Sequence, residues 1–326
     1  MSTTSLAIYP ENGAARDRWI LDHRQQRNQL DPSRPYGFFV EEERAASGEL
    51  VSVATILLTN RECPWRCLMC DLWKNTLPET VPAGAIPAQI EFALKQLPPA
   101  RQIKLYNSGS FFDRRAIPAE DHPQIAQLVQ NFDRVIVECH PALIGEDCFR
   151  FNDLIKGTLE VAMGLETAHP QILEKLNKRM TLEQFSAAAE RLRSYEIPLR
   201  VFVLVKPPFM EEPEALEWAI KSVDFALNCG ATAVSPIPTR SGNGAIDELA
   251  KIGSFSPPSI YTLESAVEYG LTRGRGRVFA DLWDTSQLLG CTTCFQDRVE
   301  RLRRMNLEQR ILQPVSCEDC GGALDG

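Results

Sequence analysis

No stretch of the 326-residue sequence is long and apolar enough to span a bilayer: the most apolar run, about Leu50 to Leu58, is short and broken by Ser52 and Thr55. The opening segment "MSTTSLAIYPENGAARDRW" lacks the basic-then-apolar pattern of a signal peptide. Together these absences lead to the expectation of a cytoplasmic protein with no membrane partner. A positive field is missing too. The formal net charge is −8, which excludes a global basic surface of the kind that drives nonspecific nucleic-acid binding. Basic character is confined to "TRGRGR" at 272–277 and "DRVERLRR" at 297–304. No glycine-rich dinucleotide fingerprint follows the first strand of the repeating region, which counts against a Rossmann cofactor site.

What the chain does have is ten cysteines. In a reducing compartment, clustered thiols point to metal binding or catalysis rather than to disulfides. It also has ordinary globular composition, 44% hydrophobic and 24% charged, with ample material for a core. Apolar β-branched runs recur at 50–58, 102–106, 134–138, 159–165, 199–205 and 231–237. They read as continuous strands buried on both faces. Helical patterns lie between them. Thr181 and Gln184 have capping-box spacing ahead of Phe185, Ala189 and Leu192 on one face. A second helix starts near Pro213 with Leu216, Ile220, Val223 and Leu227 inward and Gly230 as its stop. Such alternation predicts right-handed βαβ units around a parallel sheet, either an open doubly wound sheet or a partly closed barrel. Residues 1–48 read as a lead-in covering the barrel, with a polar helix and a possible strand at "YGFFVEEE"; residues 49–285 form the core and 286–326 a cysteine-rich module.

Directly after the first strand comes "NRECPWRCLMCDLW", with Cys63, Cys67 and Cys70 in C-x3-C-x2-C spacing. A structural zinc site wants four protein ligands. Three thiolates can instead hold three irons of a cubane and leave the fourth open to a ligand. This loop, at the end of the first of several βα repeats, resembles the radical S-adenosylmethionine superfamily. The resemblance implies that Cys63, Cys67 and Cys70 ligate a [4Fe-4S] cluster whose unique iron binds S-adenosylmethionine, and that one-electron reduction yields a 5′-deoxyadenosyl radical. It also selects the fold: a partial (β/α)6 TIM-type barrel with a small C-terminal four-cysteine metal-binding module, its site at the C-terminal strand ends. The residue before the third cysteine, usually aromatic in this superfamily, is Met69 here, which can still pack on an adenine face.

Other strand ends supply further candidates. After the second strand, "YNSGSFFD" offers Asn107, Ser108, Gly109 and Ser110 where the superfamily usually carries a Gly-Gly-Glu-like segment holding the methionine amino group. "GLET" and "NKR" resemble the Elongator-like branch, which implies that Glu166 reaches a ribose hydroxyl or a polar methionine group and that Arg179 pairs with the methionine carboxylate. Lys206, in "VLVKPPF", is either directed outward or serves substrate, and Glu138 and His140 are similarly placed after the third strand. The set "YNSGSFFD", "ECHP", "MGLET" and "KPPF" more closely resembles the radical enzyme of archaeosine biosynthesis over about residues 50–285. That resemblance implies a lyase cleaving a carbon–nitrogen bond in a lysine-modified deazaguanine of tRNA. It would work beside a lysine-transferring partner enzyme and a one-electron reductant such as a flavodoxin or ferredoxin. Arginines between Arg273 and Arg304 are candidates for phosphate contact. A free small molecule is the alternative substrate, and a noncatalytic zinc-binding interaction protein the alternative class. Finally, Cys291, Cys294, Cys317 and Cys320 form C-x2-C…C-x2-C with 22 residues between the pairs. That spacing fits structural zinc or an auxiliary iron–sulfur cluster.

Overall fold

The computed structural model describes residues 9–321. Residues 1–8 of the expected lead-in and 322–326 of the cysteine-rich module lie outside the described residues. One sheet of eight strands runs in chain order: β1 Gly37–Arg44, β2 Leu50–Leu57, β3 Gln102–Tyr106, β4 Arg134–Glu138, β5 Thr158–Glu166, β6 Leu199–Val205, β7 Ala231–Pro238 and β8 Arg277–Val278. Strand β1 pairs antiparallel with β2, and each later pair is parallel. The helices are α1 Gly13–Asp22, α2 Ala85–Leu94, α3 His122–Leu128, α4 Glu146–Leu154, α5 Pro170–Lys175, α6 Leu182–Ser194, α7 Glu212–Asn228, α8 Ala245–Lys251, α9 Ile260–Thr272 and α10 Phe295–Glu308. The fold is thus a mixed α/β partial barrel, as the repeated βα pattern implies. Among the described residues, no helix is long and apolar enough to cross a membrane.

The strands alternate more than their apolar appearance suggests. Ile103, Val135, Leu159, Val161 and Val201 pack outward into the main apolar core. The intervening Lys104, Tyr106, Arg200 and Phe202 line the barrel lumen. On the lumen floor Glu160, fully buried, meets Arg200 at 2.7 Å, Arg134 at 2.8 Å and Arg277 at 3.1 Å, while Glu43 meets Lys104 at 2.7 Å and also pairs with Arg200. Burial alone would raise both carboxyls. Arg200 beside each, with Lys104 and Arg277, outweighs it and holds both below the ordinary carboxylate range. Removing one partner from such a network leaves a buried charge unpaired, a cost of about 3–5 kcal/mol.

Helix α6 begins with the expected capping box, Thr181 and Gln184 bonding reciprocally at 3.0 and 3.2 Å. Helix α7 turns a slightly different face inward than expected. Ala215, Ala219, Val223 and Leu227 are buried, and Leu216 and Ile220 flank them half-exposed, because the alanines let the helix approach the sheet closely. The barrel's open flank is closed by α10. Arg44 on β1 donates to Leu307 O at 2.6 Å, and Val278 on β8 donates its backbone N–H to Gln309 Oε1 at 2.7 Å, so one helix end bridges both edges of the sheet.

Candidate active site

The loop after β2 carries Cys63, Cys67 and Cys70 over the C-terminal end of the barrel, and neighbouring strand ends clamp it. Leu68 donates its N–H to Leu176 O at 2.9 Å, and Asn177 donates Nδ2–H to Arg66 O at 2.7 Å. From the loop after β7, Asn243 donates Nδ2–H to Leu68 O at 2.7 Å. Glu62, just ahead of the first cysteine, pairs with Arg24 at 2.6 Å, Arg66 at 3.0 Å and Arg27, tying the lead-in to the loop. The three thiols lie close enough to feel one another's charge, and burial pushes each up to about 12. Such thiols stay protonated until a metal replaces the proton.

Three strands leave the barrel through residues in the left-handed backbone region: Ser108 (φ 54°) after β3, Glu166 (φ 67°) at the end of β5 and Lys206 (φ 53°) after β6. For side-chain-bearing residues this conformation costs about 1–2 kcal/mol each, and such outliers cluster at functional sites. Gly109 sits where the turn meets the cysteine loop; a Cβ there would lie 3.3 Å from Cys63 Cβ. Glu138 accepts from Asn107 N–H at 3.1 Å and also receives backbone hydrogen bonds from Ser108 and Gly109. Burial raises its carboxyl to about 7 despite those donors. Ser108 Oγ is bonded to Tyr36 at 2.9 Å, and Ser110 Oγ accepts the His140 N–H at 2.9 Å. Both amide atoms of Asn107 are buried with no hydrogen-bond partner among the described residues.

His140 stacks on Trp65 of the cysteine loop, ring centroids 3.7 Å apart and planes within 12°. Its Nδ1 accepts from Ala142 N–H at 3.2 Å, which leaves Nε2–H to donate to Lys178 O at 3.0 Å. Burial, then the Lys178 charge, lowers its pKa to about 4, so the ring is neutral. Both ring nitrogens are committed to holding the loop. Lys206 is likewise engaged, with Glu212 at 2.7 Å and Ser256 at 2.8 Å, and joins the β6 end to α7 and the 253–259 loop. Met69 packs between two apolar clusters that include Trp19, Ile246, Leu176 and Leu204.

Arg179 does not reach the mouth: it pairs with Asp17 of the lead-in at 2.9 Å in a half-exposed position. Lys178 takes the inward place. It is buried against Glu166 and near Cys67 and Cys63; burial would lower its pKa, but those neighbours outweigh it and keep the ammonium charged. Gly164 leaves room for this pair, because a Cβ there would collide with Glu166 Oε1 and Lys178 Nζ. The signal for Lys178 was its place beside Arg179 in "NKR"; Asn243 carried none.

Below the loop, the lumen is a cavity of about 830 Å³ that reaches from Lys104 and Arg200 up to Tyr36 and Asp71, within the size range of ligand pockets. The arginines expected to meet phosphates are largely committed elsewhere. Arg277, Arg298 and Arg301 are buried, the last two on Glu264 at 2.6 and 3.1 Å, and Arg273 pairs with Asp224 at 3.1 Å. Within that run, Arg303 lines the lumen. At the N-terminal end of α10, the four C-terminal sulfurs lie within 4.8 Å of one another, with Cys291–Cys317 at 3.9 Å and Cys294–Cys320 at 3.7 Å. Arg298 donates Nε–H to Cys294 Sγ at 3.2 Å and lies over the Tyr261 ring.

No family model matches the chain. It is 26% identical over 321 residues to an uncharacterised protein of Methanocaldococcus jannaschii, covering 91% of this chain and 87% of that one. It is also 26% identical over 229 residues to archaeosine synthase subunit beta of Methanosarcina acetivorans, covering 67% of this chain and 66% of that relative. The chain is thus similar to an archaeosine synthase beta subunit over two thirds of its length, and a second such subunit, from Thermococcus kodakarensis, matches over 127 residues at the same 26% identity. Among solved structures, the N-terminally truncated Elp3 of Methanocaldococcus infernus superposes with a TM-score of 0.49 at 15% identity, over 68% of this chain and 58% of that one. The donor set at the mouth suits a group that presents both metal and polar atoms. The three thiols lie beside a charged Lys178 and the buried amide of Asn107, which has no hydrogen-bond partner among the described residues.

Proposed function

We propose that Cys63, Cys67 and Cys70 hold a [4Fe-4S] cluster and that the neighbouring strand ends hold S-adenosylmethionine. When bound and reduced, that pair supplies a 5′-deoxyadenosyl radical for hydrogen abstraction. The buried three-thiol loop over the barrel mouth carries the reading. Asn107 satisfies its amide on the cofactor, Glu138 fixes the 107–109 turn, Glu166 and Lys178 offer a carboxylate and an ammonium to the cofactor's polar atoms, and His140 braces the loop through Trp65. The C-terminal thiols take one structural zinc. A tetrahedral thiolate site with Zn–S of about 2.3 Å sets its sulfurs about 3.8 Å apart, in line with the 3.7 and 3.9 Å separations.

For substrate, the reading is carbon–nitrogen cleavage of a lysine-modified deazaguanine in tRNA, with a lysine-transferring partner enzyme, a flavodoxin- or ferredoxin-type reductant and a cytoplasmic setting. Its support is the similarity to archaeosine synthase beta subunits. A second reading, a free small molecule bearing the same ring, is favoured by the pairing of the arginines that would otherwise meet phosphates. The test offers lysine-modified tRNA and the free base adduct under anaerobic reduction and follows 5′-deoxyadenosine and the formamidine product. Consumption of the tRNA supports the first reading, and consumption of the free adduct alone the second. Uncoupled cofactor cleavage with neither consumed would remove both and leave the radical chemistry.

A further inference from the structure

We propose that Trp283, with Phe39 beside it, is a stacking platform for a planar, uncharged or cationic heteroaromatic ring at the lumen mouth. This rests on the reading that the lumen is the substrate site and names the class of group it takes. Trp283 is 73% exposed, yet its loop is pinned. Its N–H donates to Asp281 Oδ1 at 2.9 Å, Ser286 N–H donates to Asp284 Oδ1 at 3.0 Å, and Arg240 pairs with Asp281 at 3.1 Å. Ser241 N–H, next in the chain to Arg240, donates to Gln287 Oε1 at 2.9 Å, closing the far end of the loop. The indole is not a lone surface residue: it stands against Phe39, and both rings line the same cavity.

The ring lies 5.6 Å from Phe39, planes tilted by 33°. Tyr106, Phe202 and Phe279 continue the aromatic lining inward, and Asp71, Asn75 and Ser235 supply polar edges. An aliphatic ligand would leave those polar groups unmet. A phosphate would face carboxylates. Glu41, Glu42, Asp71, Asp281 and Asp284 line the cavity, while its cations Lys104, Arg200, Arg240 and Arg303 are already engaged by Glu41, Glu43, Glu160, Asp281 and Glu300. A flat ring with polar edges and no anionic charge meets both conditions, and stacking on tryptophan is tolerant of ring identity.

The test measures binding of 7-deazaguanine, guanosine and free lysine to the full-length, cluster-loaded protein by equilibrium dialysis without reductant. Both rings are expected to bind the wild type, Trp283→Ala to weaken them about tenfold or more, Trp283→Phe to stay within about threefold, and lysine binding to stay unmoved. Circular dichroism checks that each variant is folded, and the phenylalanine variant keeps the test intact if the alanine variant is not. Rings that bind Trp283→Ala as tightly as wild type, or that do not bind wild type at all, would overturn the platform. Cofactor cleavage is followed separately as 5′-deoxyadenosine, so the radical reading can survive the platform's failure.

Discussion

Cys63, Cys67 and Cys70 come from eight successive residues, whereas Cys291, Cys294, Cys317 and Cys320 come from two pairs 22 residues apart, yet the distant set is the compact one. Its four sulfurs lie within 4.8 Å of one another, and among the described residues no other group of cysteine, histidine or acidic ligands does so. The surroundings differ as well. The first set lies over a large lumen beside a charged lysine and a buried amide that has no hydrogen-bond partner among the described residues. The second is packed at the start of a helix, with Arg298 on one sulfur and Tyr261 OH accepting the Cys291 N–H at 3.3 Å. Closeness in sequence therefore does not set the kind of metal site. An open, widely set group suits a cluster with a vacant iron, and a closed tetrahedral group suits a single ion.

The sharpest way to break this contrast is Cys67→Ala. Iron should be lost and 5′-deoxyadenosine formation fall by roughly three orders of magnitude, while about one zinc per chain remains. Cys317→Ser should do the reverse. On the proposed reading zinc is lost, iron stays, and stability falls by roughly 2 kcal/mol or more, because a metal held there would anchor α10, the helix that bridges β1 and β8. Thermal unfolding with parallel metal analysis checks this. Two charge removals sharpen the contrast further. Lys178→Met should lower cofactor cleavage about 10–100-fold without touching zinc, and Arg298→Met should weaken zinc by about 10–100-fold without touching iron.

A further effect is a pH slope confined to the first site. Glu138 is raised to about 7 in the fold, above an ordinary carboxyl of about 4.3. Between those values the folded state binds more protons than the unfolded one. Its contribution to stability is therefore fully present below about pH 4.3 and is lost as pH rises through 7, at most about 1.4 kcal/mol per pH unit. Glu138→Gln should remove that slope from denaturant midpoints measured across the window, and the zinc content of both proteins should not change.

Six strand runs and the α6 cap were readable because period and cap are local signals, and each lies within a residue or two of its expected place. What escaped depends on contacts across the chain. Lys104, Glu160 and Arg200 sit in runs that look uniformly apolar, and become intelligible as inward residues once β3, β5 and β6 share one lumen. Lys178 replaces Arg179 at the mouth because Asn177 and Arg179 adopt left-handed backbone (φ 57° and 58°), which redirects successive side chains. The partners that engage Lys206 include Ser256, 50 residues away. The cysteine spacing was legible at both sites. What the spacing did not carry is that the four sulfurs of the second come within 4.8 Å of one another.

The most direct test of the two-site account is an iron and zinc count per chain on anaerobically purified protein, wild type beside Cys63→Ala/Cys67→Ala/Cys70→Ala. The account predicts about four irons and one zinc in the wild type, and no iron with one zinc in the triple variant. Two zincs and no iron in the wild type, or iron retained in the triple variant, would contradict it.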